Sequence, residues 1–175
     1  PHLHLSLQAA DDMVLKRMKR RHTRDTVIDL VKRARMMRPD VIFGADLIAG
    51  FPTESERMFK NTLSAVNDMG LTYLHVFPYS SRPGTPASKM PAVKKDLISE
   101  RARLLREAGD LALRNYLKSK LGKSVEVLVE KNHKGHTRHF ASVDLNFDAP
   151  VGSIVKAKAI AVDEKKGRLI AGFEA

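Results

Sequence analysis

The sequence contains no cysteine and no tryptophan, and aromatic residues make up only 6% of it. Without cysteine the chain forms no disulfide bond and supplies none of the thiolates that hold an iron–sulfur cluster. No apolar run approaches the ~18 residues that a membrane span needs, so we predict no membrane partner. No secretory signal is visible either, and we therefore expect a cytoplasmic location.

Acidic residues are also in short supply. The 175 residues include 31 Lys and Arg against 20 Asp and Glu, which gives a formal net charge of +11. A surplus of this size favours a polyanionic partner, because each cation near a phosphate releases condensed counterions. Composition alone leaves open a basic protein whose charges are simply solvated. The hydrophobic content of 43% predicts a packed core rather than wholesale disorder.

The first two thirds of the chain read as alternating strands and helices. Strict polar–apolar alternation over His2–Gln8 predicts a strand with two different faces. The nearly continuous apolar run at 41–50 predicts a strand covered on both sides, as in parallel sheets. A third strand is predicted at 71–79, and a long helix at about 92–121. With helices predicted between the strands, residues 1–121 belong to the α/β class.

Capping signals support the helices in between. Thr23 is a candidate N-cap, and Thr53-Glu54-Ser55-Glu56 fits a capping box before the next apolar stripe.

The pattern changes after Gly122. Short strand candidates separated by turn residues predict a small all-β barrel of about 55 residues. The candidates are Ser124–Lys131, His139–Leu145, Ser153–Val162 and Arg168–Phe173. We therefore predict two domains, 1–121 and 122–175.

Five motifs occur in an order typical of one known family. They are His4–Gln8, Val14–Met18, Asp46–Pro52, His75–Ser80 and Arg82–Thr85. Together they closely resemble the tRNA methylthiotransferases of the radical S-adenosylmethionine (SAM) superfamily. The resemblance implies that residues 1–121 are the C-terminal half, three βα units, of a TIM-like partial barrel. It also implies that 122–175 is a TRAM domain, a small RNA-binding β-barrel, and that an N-terminal half of the same polypeptide is missing.

The resemblance further implies a reaction. In such enzymes a [4Fe–4S] cluster cleaves SAM to a deoxyadenosyl radical, and a methylthio group is built on C2 of an adenosine. The run His75–Ser80 looks most like the branch that acts on threonylcarbamoyladenosine beside the tRNA anticodon. The expected partners are SAM, [4Fe–4S] clusters in the intact protein and the anticodon stem-loop of tRNA. Because this chain lacks cysteine, we predict that it is inactive by itself.

The sequence departs from the family pattern at two turns. The family's Gln-Ser-Gly is Gln8-Ala9-Ala10 here, and loss of the glycine is expected to stiffen or distort a turn near the cofactor. The family's Gly-Glu-Thr after Phe-Pro is Thr53-Glu54-Ser55, which keeps the glutamate.

Candidate site residues follow from these motifs and from the basic stretches. The expected cofactor-binding residues are Ser6, Gln8, Asp46, Gly50 and Glu54. The stretch 16–24 holds six Lys or Arg in nine residues, where a barrel of this kind places its substrate entrance. The expected substrate- or RNA-binding residues are Lys16, Arg17, Lys19, Arg20, Arg21, Tyr79, Ser80, Arg82, Lys131, Lys134, Arg138 and Phe140. Each set also has a purely structural interpretation, as solvated helix surface, barrel interior or turn.

No catalytic residue is assigned, and no metal site is predicted within the chain. His2 and His4 supply only two ligands, and no carboxylate or third His lies near them in sequence.

Two other functions stay open at this point. The first is a non-catalytic RNA-binding fragment. The second is a methylthiotransferase that modifies a ribosomal protein, which the net charge of +11 disfavours.

Overall fold

The computed structural model describes residues 1–174, which form two compact units. The first, the sheet unit, comprises Leu3–Ala112; the second, the barrel unit, comprises Leu113 onward together with Pro1–His2. The elements in chain order are β1 His2–Gln8, α1 Asp12–Arg17, α2 Arg24–Met37, β2 Ile42–Ala49, α3 Glu56–Asp68, β3 Leu71–Pro78, a 3₁₀ helix Pro86–Lys89, α4 Lys95–Lys118, β4 Ser124–Lys131, β5 Lys134–Thr137, β6 Ser142–Leu145, β7 Ile154–Asp163 and β8 Arg168–Phe173.

The sheet unit is built on a three-stranded sheet in the order β1-β2-β3, with β2 and β3 parallel. Alternate residues of β2, from Phe43 to Ala49, are fully buried and pack with the helices in one core. Since successive side chains of a strand point to opposite faces, the remaining residues of β2 share the other face. That face presents Asp46 beside His75 of β3, and Ile48 beside Phe77.

Side-chain caps fix where the first three helices begin. Asp11 accepts hydrogen bonds from the backbone N–H groups of Met13 and Val14 and so starts α1. Thr23 caps α2, as predicted, and forms a capping box with Thr26. The cap of α3 is Ser55, which accepts from the N–H of Met58. The predicted capping box, with Thr53 as the cap and Glu56 as its partner, therefore lies two residues too early, because the structure uses Ser55 and Met58 instead.

A buried ion pair joins the β2–α3 loop to α4. Arg101 Nη1 lies 2.9 Å from both the carboxylate and the backbone carbonyl of Glu54, and both side chains are almost fully buried. The guanidinium also lies over the ring of Phe59 and reaches Glu56 at 3.4 Å. Burying two charges is costly unless they satisfy each other, so this pair holds the loop and the helix together.

The barrel unit is a closed barrel in the strand order β4-β5-β6-β8-β7. All of its pairs are antiparallel except β6–β8. Its core contains Val127, Val129, Val143, Ala157 and Leu169, together with Leu117 from the last turns of α4. An all-β barrel was predicted, but the strand expected at His139–Leu145 begins only at Ser142. The turn expected at Lys134-Gly135 instead opens the additional strand β5.

The α/β class with a parallel sheet and a small closed barrel is confirmed. The compact units divide at Leu113, inside α4, whereas the prediction placed the domain boundary after residue 121. The predicted boundary marks the end of the helix and the start of β4. Among the described residues no helix is both long and apolar enough to cross a membrane.

The buried pair predicts an asymmetric response to mutation. Arg101→Met should lower the free energy of unfolding by about 3–5 kcal/mol, because the Glu54 carboxylate would stay buried without its partner. Arg103→Met is the matched control on the same helix, since Arg103 pairs with Glu100 and Glu107 at the surface. Chemical denaturation of the three proteins measures the difference. Equal stability of the two variants would contradict the structural role assigned to Arg101.

Candidate functional site

Two adjoining pockets lie in the sheet unit, where β1, β2 and β3 end. The larger, about 460 Å³, is lined by Gln8, Ile48, Phe77, Pro78, Tyr79, Ser80, Arg82, Thr85 and Ala87. The smaller, about 290 Å³, is lined by Gln8, Arg17, Met18, Lys19, Arg20, Ile48, Phe51, Thr85, Pro86 and Ala87. Because the two share Gln8, Ile48, Thr85 and Ala87, they form one continuous cleft at the carboxyl ends of the strands. Ligands of open α/β sheets bind at this edge.

The turn after β1 brings Gln8 into both pockets. Its backbone φ is +68°, and the following Ala9 and Ala10 are fully buried. The left-handed conformation thus falls on Gln8 rather than at the position where the family has glycine. The distortion expected from the missing glycine is avoided, because Ala10 does not need a positive φ.

The loop after β2 is held close to α4. Gly50 has φ +76°, and a Cβ added there would come within 2.5 Å of the Ile98 side chain. The Gly50 N–H donates to the Glu54 carboxylate at 3.0 Å. Only glycine permits both this conformation and this approach. The loop therefore packs tightly, and its Phe51 faces the smaller pocket.

The Glu54 side chain holds this loop through its hydrogen bond with the Gly50 N–H. Burial raises the pKa of its carboxyl, while Arg101 and the Gly50 N–H act in the opposite direction. One carboxylate oxygen is engaged by these two donors, whereas Oε1 is buried without a hydrogen-bond partner among residues 1–174.

Tyr79 is one of the residues that line the larger pocket. Its backbone N–H donates to the Ala49 carbonyl at 2.8 Å, and its ring packs edge-on against Phe51. The hydroxyl is buried and has no partner in the part of the chain that the structure describes. Buried tyrosine hydroxyl groups normally find a hydrogen-bond partner.

Most of the basic side chains that line the cleft lie in its smaller pocket. Arg17, Lys19 and Arg20 face the smaller pocket and Arg82 the larger. Arg17 also donates to the Thr53 carbonyl at 3.3 Å and so braces the β2–α3 loop. Lys16 and Arg21 are exposed and line neither pocket.

Arg24, which closes the same basic stretch, has a structural role. Its guanidinium contacts the carbonyls of Ala10 and Asn61 and the carboxylate of Asp68. It contributes to packing rather than to the cleft.

The barrel unit carries a second candidate surface. Phe140 lies between β5 and β6 with φ +67°, is 60% exposed and stacks on the His136 ring at 5.0 Å between centroids. Lys131, Lys134 and Arg138, all exposed, occupy the same part of the chain. Glu130 and Ser142 hold the two nitrogens of His136, which fixes the ring beneath Phe140. An exposed, pre-oriented aromatic ring among cations is typical of nucleic-acid stacking surfaces.

A pocket of about 250 Å³ also lies in the barrel unit. It is lined by Tyr116, Lys120, Lys123, Ser124, Val125, Glu126, Thr137, Arg138, His139, Ala141 and Leu169. Arg138 is paired loosely with Glu126 at 3.6 Å. The sequence analysis named Arg138 but missed Lys120 and Lys123, which lie at the predicted linker.

The structure separates the predicted residues into groups. Gln8, Arg17, Lys19, Arg20, Tyr79, Ser80 and Arg82 meet in the cleft, whereas Ser6, Asp46, Gly50 and Glu54 line neither pocket. Asp46 lies between two histidines on the sheet face, 2.9 Å from His4 Nε2 and 3.2 Å from His75 Nδ1.

Several residues of the cleft were missed. Ile48 and Phe77 form apolar pocket walls, and counting alternate positions from Asp46 and His75 would have found them. Thr85 and Ala87 follow a proline-rich loop that gives no periodic signal.

Comparison with known proteins identifies the kind of fold first. The Radical SAM superfamily model matches residues 1–66, which span β1, β2 and most of α3. The match is consistent with the parallel sheet and with the cleft at its carboxyl edge.

Individual relatives are more informative than the superfamily match. Threonylcarbamoyladenosine tRNA methylthiotransferase MtaB of Rickettsia prowazekii is 48% identical over 94% of this chain. The tRNA-2-methylthio-N(6)-dimethylallyladenosine synthase of Novosphingobium aromaticivorans is 38% identical over 91%, and that of Staphylococcus aureus strain Newman is 34% identical over 95%. Over nearly its whole length the chain is therefore similar to radical-SAM tRNA methylthiotransferases. It covers 39%, 38% and 34% of the lengths of these relatives, respectively.

Among solved structures, the apo form of Mycoplasma genitalium RNase R aligns with 45% of this chain and 17% of its own, with 12% identity and a TM-score of 0.31. A likeness this weak supports no argument.

The raised pKa of Glu54 predicts a pH-dependent stability difference. A carboxyl group whose pKa is higher in the folded state stabilises the fold fully below its unfolded value of about 4.5 and loses that contribution as pH rises through the folded value. Glu54→Gln removes this titration. The unfolding free energy of the wild type minus that of Glu54→Gln should therefore fall as pH rises above about 4.5. Urea denaturation at a series of pH values measures it, and a difference that grows with pH would contradict the assignment.

Proposed function

We propose that this chain supplies the nucleoside pocket and the tRNA-binding surface of a tRNA methylthiotransferase. The observation that carries the proposal is 48% identity to such an enzyme over 94% of the chain. The cleft in the sheet unit supports it, because seven residues expected to bind cofactor or substrate line that cleft. The reaction transfers a methylthio group to C2 of an adenosine.

We further infer that the substrate is threonylcarbamoyladenosine next to the anticodon. The relative with this substrate in its name is 48% identical, whereas the two dimethylallyladenosine synthases compared above are 38% and 34% identical. The motif His75–Ser80 favours the same branch. Since its substrate is tRNA, the enzyme is expected to act in the cytoplasm.

The larger pocket fits the nucleoside part of SAM. Its volume of about 460 Å³ lies in the range of small-ligand sites. Ile48 and Phe77 offer apolar walls, and Gln8 offers hydrogen bonds. When bound, SAM supplies the radical and the methyl group of the reaction. Gly50 and Glu54 contribute by holding the loop whose Phe51 packs against Tyr79.

The iron–sulfur clusters do not fit this chain. A cluster needs cysteine thiolates, and the sequence has none. We therefore assign no chemical step at a cluster to these residues. Their proposed roles are to bind and orient the nucleoside and to hold the RNA.

RNA binding is proposed for both units. In the sheet unit Lys19 and Arg20 line the cleft, and Lys16 and Arg21 are exposed nearby in sequence. In the barrel unit, which we interpret as a TRAM domain, the exposed Phe140 ring and Lys131, Lys134 and Arg138 form the surface. Cations would neutralise phosphates while the ring stacks on a base.

A second candidate function is RNA binding without catalysis. The absence of cysteine favours it for the 175-residue chain taken alone. A ribosomal-protein substrate is less favoured, because the named relatives act on tRNA.

The substrate assignment predicts a specific loss in the cell. Disruption of the gene should abolish 2-methylthio-threonylcarbamoyladenosine in total tRNA and leave 2-methylthio-dimethylallyladenosine unchanged. Liquid chromatography with mass spectrometry of digested tRNA measures both nucleosides in one run. Loss of the dimethylallyl product instead would assign the other branch. No change in either would contradict a role in tRNA methylthiolation.

The RNA-binding surfaces predict two distinguishable defects. Binding of an anticodon stem-loop, measured by fluorescence anisotropy, should weaken with salt by about 0.7–0.9 log units per log unit of salt for each phosphate contact. Replacing Lys16, Lys19, Arg20 and Arg21 with Ala should flatten this slope. Phe140→Ala should cost about 1–3 kcal/mol of binding with little change in slope.

Phe173→Ala is the matched control for Phe140. Phe173 is also an exposed phenylalanine of the barrel unit, 70% accessible, but it packs edge-on against Phe147. Arg17 is left intact because it braces the Thr53 loop. If Phe140→Ala and Phe173→Ala weaken binding equally, stacking on Phe140 is wrong. A slope near zero would mean that the net charge of +11 is only a solvated surface.

A further inference from the structure

Three side chains from three neighbouring strands meet on the open face of the sheet. His4 of β1, Asp46 of β2 and His75 of β3 each offer one ligand atom, and these atoms all lie within 4.8 Å of one another. Asp46 Oδ1 is 2.9 Å from His4 Nε2 and 3.2 Å from His75 Nδ1. The two imidazole rings are tilted at 36°, with centroids 4.6 Å apart. Asp46 is 42 positions from His4 and 29 positions from His75 in the sequence. No local motif could therefore reveal the cluster.

The strands hold this cluster rigidly. Asp46 and His75 are paired in the β2–β3 register, so their side chains emerge side by side. The residues on either side of Asp46, Ala45 and Leu47, are fully buried in the core beneath. Metal sites built on strands and helices keep their geometry better than sites on loops.

We propose that His4, Asp46 and His75 bind one divalent transition-metal ion of the kind that zinc and cobalt represent. Imidazole nitrogen and carboxylate oxygen bond to zinc at about 2.0–2.2 Å, which places tetrahedral ligand atoms about 3.3–3.6 Å apart. The separations of 2.9 and 3.2 Å are those of hydrogen bonds, and a small outward movement of the side chains would admit the ion. Two imidazoles select a transition metal over magnesium or calcium, which prefer all-oxygen sites.

The site keeps room for further ligands. The side chains of His4, Asp46 and His75 are 29%, 25% and 63% exposed. Three protein ligands with an open position are the pattern of metal centres that bind water or substrate, whereas purely structural zinc sites are closed by four. This centre uses no thiolate ligand, and the proposal does not depend on the proposed transferase function.

Metal binding is tested on the 175-residue chain after removal of any histidine tag. Equilibrium dialysis against Zn²⁺, followed by plasma mass spectrometry, should find one equivalent bound. Co²⁺ should bind at the same site and give visible d–d absorption bands. Zn²⁺ should also shift the imidazole NMR signals of His4 and His75 among the seven histidines of the chain.

Variants locate the site. Asp46→Asn preserves size but removes the carboxylate, and His75→Gln removes one imidazole. Each should weaken binding by at least about 100-fold, the upper end of the effect of losing an outer-shell partner. His136→Gln is the matched control, because His136 is also paired with a carboxylate, Glu130 at 2.9 Å, but is not part of the cluster. It should bind Zn²⁺ like the wild type.

Two outcomes would overturn the proposal. One is failure of the wild-type chain to bind Zn²⁺ or Co²⁺ stoichiometrically, which would leave the three side chains as a hydrogen-bonded network. The other is equal binding by Asp46→Asn and the wild type while both show the same circular dichroism spectrum. If Asp46→Asn fails to fold, the imidazole shifts of the wild type still decide the question, since only ligand histidines should respond to the metal.

Discussion

Parallel pairing of β2 with β3 is the constraint on which both candidate sites of the sheet unit depend. Parallel strands end at a common edge, so Ala49 and Pro78 finish side by side and the following loops enclose one cleft. The same register sets Asp46 beside His75 on one face. A shift of one residue would turn these side chains toward the helices and bring Leu47 or Val76 to the open face. The buried alternate residues prevent that shift, because it would expose the core.

The loop after β2 is the second feature that determines the shape of the cleft. An ion pair holds this loop in place in addition to apolar packing. Arg101 donates hydrogen bonds to both the backbone carbonyl and the carboxylate of Glu54. The same carboxylate also accepts a hydrogen bond from the Gly50 N–H. The Phe51–Tyr79 contact at the mouth of the cleft follows from this arrangement. Residues that touch no pocket therefore still decide its shape. This explains how Glu54 can shape the cleft while its side chain stays buried.

Sequence patterns predicted the strands of the sheet unit well, although only β2 buries a regular face. His2–Gln8 was predicted to the residue, and so was the N-cap Thr23. Prediction failed where a residue pair typical of turns lies in a strand instead. Lys134-Gly135 indicated a turn, yet Gly135 lies in β5, where close approach to Leu128 leaves no room for a side chain. The cluster of His4, Asp46 and His75 could not be predicted from spacing, since it requires the order and register of three strands.

Closure of the small barrel has a consequence for recognition. Because β6 pairs with β8, each of the five strands has a neighbour on both sides. No row of unpaired backbone N–H and C=O groups is left for an incoming chain, so recruitment by strand addition is blocked. Whatever the barrel recognises, it must therefore contact through side chains, either at its turns or on the outward faces of its strands, where Lys131 and Lys134 lie. Its specificity can therefore be rewritten by surface substitutions that leave the hydrogen-bonded framework untouched.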